Sequence, residues 1–175
     1  MRYGPMSRYA HEYKRHERDF YPTPYEVVLP LLPHLQDNTE FIEPCAGDGI
    51  LIEHLRKHGH IKMYACDIEP QAAGIDQLDA LDIEWSDGTI ITNPPWDRKI
   101  LHPMIEAFRQ VDGGCWLVFD ANWMHTKQSI PYMPHCSKII TVGRVRWIGE
   151  KPGKDDVCWY HFGKDILTTE FYGRG

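Results

Sequence analysis

The order of strand-like and helix-like segments constrains the fold of this chain more than any other feature of its sequence. Short apolar runs typical of buried strands alternate with segments whose apolar residues recur at helical spacing. We predict strands at 40–44, 61–67, 75–79, 89–93, 115–121, 138–148 and 157–162, and helices at 48–58, near Pro70 and at 99–111. This alternation favours an α/β fold, with a mostly parallel sheet and helices on both faces. The last two strands are joined by a turn-rich segment, so we expect an antiparallel hairpin at one edge.

The N-terminal region does not follow this alternation. Residues 1–19 are polar and aperiodic, and we expect a partly mobile arm there. Residues 24–35 have a helical pattern that Pro30 and Pro33 interrupt, so any helix there is short or kinked. A chain of 175 residues fits one ordinary domain. We therefore expect residues 20–175 to form a single domain without a separate recognition domain.

Composition narrows the class of protein. The chain is 42% hydrophobic, and no apolar run approaches the roughly 20 residues of a membrane helix, so we expect no membrane partner. The five cysteines are widely spaced and include no Cys-x-x-Cys pair, which predicts reduced, mostly buried thiols in a cytoplasmic protein.

The net charge of −6 is unfavourable for a protein that binds nucleic acid, because phosphate contacts usually supply the affinity. Basic residues are nevertheless grouped in two places, at Lys14, Arg15 and Arg18, and at Lys138, Arg144, Arg146, Lys151 and Lys154. Either group could contact phosphate, and either could be an ordinary solvated surface.

A glycine-rich turn follows the first predicted strand and leads into a helix. It consists of Glu43, Pro44, Cys45, Ala46, Gly47, Asp48 and Gly49. Small residues let a backbone approach a ligand closely, and a helix start offers free amide donors. The turn is neither a dinucleotide Gly-x-Gly-x-x-Gly motif nor a P-loop. The acidic residue at the end of the first strand, Glu43, suits a ligand with ammonium and sulfonium groups better than it suits a pyrophosphate.

The second motif is a carboxylate at the end of the second strand. Asp67 lies about twenty residues after the glycine turn, a spacing that favours contacts to ribose hydroxyls. Ile68 could then pack on an adenine ring. The alternative role for Asp67 is to cap a helix that begins near Pro70.

The third motif, Asn93-Pro94-Pro95-Trp96, follows the fourth strand. Two prolines stiffen the turn and remove two backbone donors. An Asn side-chain oxygen and a proline carbonyl could then accept both hydrogens of a conjugated amine, and Trp96 could stack on the base that carries it. A purely structural Pro-Pro turn with a core tryptophan is the alternative, which the order of the three motifs disfavours.

With these motifs the chain resembles the class I S-adenosylmethionine-dependent methyltransferases, which have a Rossmann-like sheet. Within them it is most similar to small Dam-like DNA adenine-N6 methyltransferases, often carried by phages and prophages. The resemblance implies S-adenosylmethionine as cofactor and no metal. It assigns the methionine part of the cofactor to the element Phe20–Pro24, including Tyr21, Thr23 and Pro24, and the remainder to residues 43–49, Asp67, Ile68, Asp79, Ala80 and Asn93. Asp82 competes with Asp79 for the contact to the adenine of the cofactor.

The resemblance also implies catalysis by Asn93, Pro94, Pro95 and Trp96. Residues that could bind the target are Trp96, Asn122, Trp123, Arg144 and Arg146, although a strand-end turn at Asn122 and a solvated sheet face at the two arginines are equally compatible. His54, His58 and His60 have spacing that would suit a metal, but an exposed helical face is the better interpretation.

We therefore expect a DNA adenine-N6 methyltransferase, with RNA bases (adenine N6 or guanine N2) or a protein glutamine as alternative targets. A non-catalytic accessory subunit is the alternative from another class. We expect nucleic acid as partner, either DNA or RNA. Sequence preference would come from loops such as 122–134, from the Gly-Arg-Val-Arg-Trp segment at 143–147, or from a recognition partner. A homodimer is a further possible assembly.

Overall fold

A computed structural model describes residues 21–147, 153 and 155–175, and within these residues the sheet has eight strands. They are β1 (Glu40–Glu43), β2 (Ile61–Asp67), β3 (Asp76–Gln77), β4 (Thr89–Thr92), β5 (Cys115–Asp120), β6 (Cys136–Val145), β7 (Asp155–Phe162) and β8 (Glu170–Tyr172). Their order is β3-β2-β1-β4-β5-β7-β6-β8, and β7 is antiparallel to both of its neighbours while the other pairs are parallel. This confirms the predicted mostly parallel sheet.

The helices cover both faces of the sheet, as predicted. Helices α1 (Tyr25–Val28) and α2 (Ile50–Lys57) pack on one face, and α3 (Arg98–Phe108) packs on the other. Successive strand residues point to opposite faces, so Phe41 joins the first core cluster and Ile42 the second. Helix α3 buries one apolar stripe at spacings of three and four residues, made of Leu101, Met104, Ile105 and Phe108.

Three elements differ from the sequence-based prediction. The segment 70–75 is a turn and not a helix, because the amide of Gln71 donates to the carbonyl of Gly47 (2.9 Å) instead of starting a helix. The predicted strand 75–79 is only two residues long. Strand β8 was not predicted, since three residues are too few to show a period of two, and it adds a parallel edge outside the β6–β7 hairpin.

The region 24–35 agrees with its prediction. It contains the four-residue α1 and a 3-10 turn at Leu32–His34, with Pro30 between them. The five cysteines are all free and four are buried, which confirms the prediction of reduced thiols. The arm at 1–19 and its three basic residues lie outside the described residues, as do Phe20, Ile148, Lys151 and Lys154.

The strand order reverses between β1 and β4, and this is where open α/β sheets bind ligands. The chain runs outward from β1 to β2 and β3 on one side, and from β4 to β5 on the other. The glycine turn follows β1 and the Asn-Pro-Pro-Trp loop follows β4, so the fold brings both motifs to one crevice. No helix within the described residues is long and apolar enough to cross a membrane.

Candidate active site

The glycine turn is bent by two left-handed residues. Gly47 has a φ of 51° and Gly49 a φ of 79°, a backbone conformation that side chains disfavour, and Gly49 is the N-cap of α2. The Asp48 carboxylate accepts from the amide of Ile50 (3.1 Å) and so helps to cap the helix. The turn therefore has the predicted form, a close backbone approach at the start of a helix.

Asp67 connects the ends of β1 and β2. Its Oδ2 accepts from the backbone amide of Gly47 (2.8 Å), and its Oδ1 accepts from the amide of Glu69 (2.8 Å). No helix follows it, so the alternative role as a cap for a helix at Pro70 is wrong. Ile68, the next residue, is 54% exposed beside the turn and presents an apolar surface there.

Glu43 is a buried carboxyl at the end of β1, with a relative exposure of 1%. Its Oε1 accepts from the Thr92 hydroxyl of β4 (3.1 Å), while its Oε2 has no hydrogen-bond partner within the described residues. Burial raises the pKa of this carboxyl well above its ordinary range, the Thr92 hydrogen bond opposes the shift, and the charges of Asp67 and Asp48 increase it. An acceptor that lacks a partner in a crevice suits a cationic or donating ligand.

Cys45 and its neighbours in the glycine turn are closely packed. Burial raises the pKa of the Cys45 thiol well above its usual range, and the charges of Glu43 and Asp67 raise it further. Its Sγ lies 4.0 Å from Sδ of Met104 in α3. Pro44 and Ala46 are buried. The thiol is therefore neutral and packs as a small apolar group, not as a nucleophile.

Asn93 is held by two parts of the chain. Its Nδ2 donates to the Tyr21 carbonyl and to the Thr23 hydroxyl (both 3.3 Å), and its Oδ1 accepts from Nε1 of Trp96 (3.3 Å). These contacts orient the amide with its oxygen toward Trp96. A carbonyl oxygen has two acceptor sites, so one remains for another donor. The structure thus brings the segment at 21–24 to the Asn-Pro-Pro-Trp loop. Among the prolines of these two segments, Pro94 is buried, and Pro24 and Pro95 are half-buried.

An aromatic cluster surrounds the loop and includes a residue that the sequence analysis missed. Trp96 is half-buried and meets Trp147 edge to face, with ring centroids 5.6 Å apart, and Tyr21 lies 6.4 Å from Trp147. Trp147 follows β6, two strands beyond β5 in the sheet. No local pattern in the sequence indicates that the end of β6 reaches the loop after β4.

Among the other residues predicted to bind the target, the prediction for Trp123 is wrong. Trp123 is 1% exposed, and its Nε1 donates to Nε2 of His102 (3.0 Å), so it belongs to the core and cannot stack on a base. Asn122 is exposed in the 3-10 turn that follows β5. Arg144 and Arg146 are exposed at the end of β6, and Arg144 pairs with Asp156 (3.4 Å).

The third-strand region brings a carboxylate close to the predicted place. Asp79 is half-buried and its Oδ1 accepts from the amide of Leu81 (2.9 Å), which caps a short 3-10 turn. Ala80 is buried, whereas Asp82 is exposed. The two carboxylates that the sequence left open therefore differ in exposure, and Asp79 is the more buried of them.

The histidines of α2 differ in part from the expected exposed face. His54 is 7% exposed and packs against the Tyr25 ring (5.1 Å), whose hydroxyl is 2.7 Å from Nε2 of His58. His60 is also buried, at 8%. In the part of the chain that the structure describes, no three His, Cys, Asp or Glu residues are arranged to hold a metal ion.

Comparison with known proteins gives the fold. No family model and no curated protein matches the sequence. A candidate RNA methyltransferase from Pyrococcus horikoshii matches with a TM-score of 0.62 at 15% identity, over 85% of this chain and 87% of that one. The methyltransferase subunit of a type I restriction-modification system from Streptococcus thermophilus matches with a TM-score of 0.58 at 9% identity, over 87% of this chain and 47% of that one.

This chain has a Rossmann-like methyltransferase fold. A protein from Thermoplasma acidophilum shares it, with a TM-score of 0.54 at 18% identity over 79% of this chain and 83% of that one. In this methyltransferase fold, the glycine turn, Asp67 and Asn93 all follow strands at the carboxyl edge of the sheet, beside the reversal of strand order.

Proposed function

We propose that the chain is an S-adenosylmethionine-dependent N-methyltransferase whose target is the exocyclic amino group of adenine in DNA. The observation that carries this proposal is the environment of Asn93. Its amide is held by Tyr21 and Thr23 with the oxygen toward Trp96, next to the crevice that contains Glu43 and the glycine turn. The fold of the chain supports methyl transfer as the type of reaction.

The crevice has groups that fit this cofactor. The partnerless Oε2 of Glu43 suits an ammonium group, and the turn around Gly47 allows close approach of a ligand. Asp67 and Ile68 would hold the ribose and the adenine face, with Asp79 and Ala80 further along, and Tyr21, Thr23 and Pro24 would border the methionine part. When bound, S-adenosylmethionine supplies a methyl group on a positively charged sulfur.

The residues of the loop act on the amine of the target. The amino nitrogen of adenine is a poor nucleophile because its lone pair is delocalised into the ring. Oδ1 of Asn93 and the carbonyl oxygen of Pro94 each accept a hydrogen bond from one N–H of this amino group. These two hydrogen bonds turn the lone pair of the nitrogen out of the ring plane. Trp96 holds the ring. Once the nitrogen carries the new carbon, one of these hydrogens leaves as a proton to water.

Positioning supplies most of the rate in this scheme. Holding two reacting groups in alignment can lower a barrier by about 7–11 kcal/mol. The three hydrogen bonds of the Asn93 amide keep its acceptor in place before the target arrives. Such preorganisation avoids the cost of reorienting the amide during the reaction.

Other targets pose the same chemical problem. RNA bases and the side-chain amide of a protein glutamine also carry conjugated amines. The candidate RNA methyltransferase among the structural relatives makes RNA the second candidate, and the restriction-modification subunit agrees with DNA. An accessory subunit without activity would have no use for the oriented amide of Asn93.

The test is transfer of labelled methyl from S-adenosylmethionine to unmethylated DNA, structured RNA and total protein in parallel, followed by digestion to nucleosides or amino acids. We expect N6-methyladenine from DNA. The Asn93→Ala variant serves as the control, and at saturating S-adenosylmethionine its rate should still fall by about 100-fold or more, as when one oriented polar group is removed from an active site.

Each other outcome points to one alternative. Label confined to RNA or to protein would reject DNA as the target while keeping the chemistry of Asn93. Equal labelling by the native chain and the Asn93→Ala variant would reject the role of the amide. Cofactor binding without any transfer would favour the accessory subunit.

A further inference from the structure

The segment that follows β5 forms a second recessed surface beside the catalytic loop. Residues 121–135, here called the β5 loop, contain three 3-10 turns, at Ala121–His125, Lys127–Ser129 and Met133–His135. They line a shallow cavity that is widely open to solvent, with a volume of about 440 Å³. Its walls are mainly apolar, and it is lined by Met124, His125, Thr126, Lys127, Ser129, Ile130, Met133 and Pro134.

The β5 loop is preformed, because hydrogen bonds from two of its hydroxyl groups connect its turns to one another. The buried Ser129 hydroxyl donates toward the carbonyls of Met124 (3.0 Å) and Thr126 (2.8 Å), and the Thr126 hydroxyl donates to the carbonyl of Trp123 (2.8 Å). Trp123 fills the core beneath them. The cavity therefore exists before any ligand arrives, which lowers the entropic cost of binding.

The loop is also fixed relative to the catalytic residues. Trp123 donates to His102 of α3, and Nη1 of Arg98 donates to Oε1 of Gln128 (2.5 Å). Arg98 is the first residue of α3 and lies two positions after Trp96. Since β4 and β5 are adjacent parallel strands, the catalytic loop and the β5 loop leave the sheet side by side at the same edge.

The charge around the cavity differs from that of the whole chain. The net charge of the chain is −6, yet residues 121–135 include no aspartate or glutamate and do include His125, Lys127 and His135. The first turn of α3 adds Arg98 and Lys99. The carboxylates beside the loop are Asp97 and Asp120, which accept hydrogen bonds from backbone amides, and Glu106 of α3, whose charge acts on Tyr132. Cationic groups at the rim of an apolar recess match the two parts of a nucleotide, its phosphate and its base.

We infer that the β5-loop pocket binds a nucleotide next to the target adenine, with the base between Ile130, Met124 and Met133 and its phosphate near Lys127. This inference rests on the proposed function, since it names the neighbour of the adenine that enters the catalytic loop. Such a pocket would let the chain prefer one conformation of the DNA strand, or one base beside the target adenine.

The experiment uses single-stranded oligodeoxynucleotides that contain one adenine, with each neighbouring nucleotide replaced in turn by an abasic residue. We expect one position beside the adenine to stand out, with kcat/KM lowered roughly fivefold or more, in proportion to loss of one stacked or buried base. Replacements farther away should have little effect. Anisotropy of the same labelled oligonucleotides without S-adenosylmethionine reports binding independently of catalysis.

Variants then connect that position to the pocket. On the intact oligonucleotide, the kcat/KM of the Ile130→Ala variant should be lower than that of the native chain by about the factor that the abasic replacement causes. On the abasic oligonucleotide, the variant and the native chain should have the same kcat/KM. Ile130 is 66% exposed, so its truncation should leave thermal stability unchanged. Leu167→Ala, at 98% exposure, is the matched control and should behave like the native chain. Lys127→Gln should raise KM and reduce its salt dependence, whereas Lys57→Gln at the far end of α2 should not.

The outcomes separate this inference from the proposed function. A native chain that methylates DNA with a flat abasic scan would overturn the inference alone. So would an Ile130→Ala variant with native affinity for every oligonucleotide, as expected if the pocket served a protein partner. If no DNA is methylated, the proposed function fails, and the anisotropy scan still decides whether the pocket binds a nucleotide.

Discussion

At the scale of single residues, the Asn93 amide is held from both of its ends. Two acceptors from residues 21–23 take its hydrogens, and the Trp96 indole donates to its oxygen. A free asparagine would rotate, and roughly half of its orientations would present NH₂ to an incoming amine. The hydrogen bonds to Tyr21 and Thr23 remove that freedom, so under the proposed function the segment before α1 would contribute to catalysis by positioning Asn93.

This arrangement predicts the effect of Thr23→Val. The change keeps the shape of a side chain that is 4% exposed but removes its hydroxyl, so the Asn93 amide loses one partner. A hydrogen bond of this kind is worth about 0.5–1.5 kcal/mol, so kcat at saturating S-adenosylmethionine should fall about two- to tenfold. Steady-state kinetics would measure it. In the Asn93→Ala background the same change should have no effect on kcat, and an additive loss there would refute a role through Asn93.

Glu43 predicts a pH dependence of stability. Burial raises the pKa of its carboxyl, so the folded chain binds this proton more tightly than the unfolded chain. Below the ordinary carboxyl pKa of about 4.3, both states are protonated and the favourable contribution is fully present. As the pH rises through the folded-state pKa, the buried carboxyl becomes charged and that contribution is lost.

The Glu43→Gln variant isolates this contribution. Its amide oxygen can still accept from Thr92 but does not titrate. In urea unfolding at a series of pH values, the native chain should become less stable relative to this variant as the pH rises, and the difference should level off above the folded-state pKa. The other carboxylates are common to both proteins and cancel. Parallel curves for the two proteins would contradict the prediction.

At the scale of elements, α1 depends on a strand that is distant in sequence. A helix of four residues is not stable alone, since nucleation is costly. Here Nε1 of Trp159 in β7 donates to the carbonyl of Val27 (2.7 Å), and Val27 and Val28 are fully buried. Because α1 begins two residues after Thr23, this anchor also places the segment that holds Asn93.

Trp159→Phe should therefore weaken both stability and the anchoring of α1. Loss of the indole donor leaves a buried carbonyl without its partner, which costs about 1–3 kcal/mol in the free energy of unfolding. Denaturant unfolding would measure this loss, and hydrogen exchange at Leu31, whose amide donates to the Val28 carbonyl, would report the local opening. Unchanged protection at Leu31 would show that α1 is held by its apolar contacts instead.

At the scale of the whole molecule, the proposed function requires an acidic chain to bind an anionic substrate through a limited surface. In a chain with a net charge of −6, the basic residues around the β5 loop and at the end of β6 would be available for a few phosphate contacts. Few contacts leave little binding energy to pay for extracting a base from a duplex, which costs a few kcal/mol.

We therefore expect a preference for unpaired adenine. Under the proposed function, an adenine in single-stranded or mismatched DNA should be methylated about tenfold or more faster than the same adenine in a matched duplex. Single-turnover rates on oligonucleotides of identical sequence would compare them. Equal rates on paired and unpaired adenine would indicate that the chain, or a partner bound to it, supplies the energy of base extrusion.

The features that the sequence by itself determined are local ones. Strand ends, the glycine turn, Asp67 and the Asn-Pro-Pro-Trp loop each depend on a few consecutive residues, and parallel strands bring their carboxyl ends to one edge whatever the details of packing. For this reason the position of these motifs at one edge of the sheet was predictable. The same reasoning explains why the broken helix at 24–35 was predicted from its prolines.

What only the tertiary structure decided depends on contacts between distant segments. Trp123 and His54 resemble surface or site residues in the sequence, yet both are buried, because burial depends on what packs against a side chain. Trp147 reaches Trp96 only because β6 inserts beside β7, and β8 exists only because β6 offers an edge to pair with. Local propensity cannot encode these choices, since their free energy comes from surfaces that meet only in the folded chain.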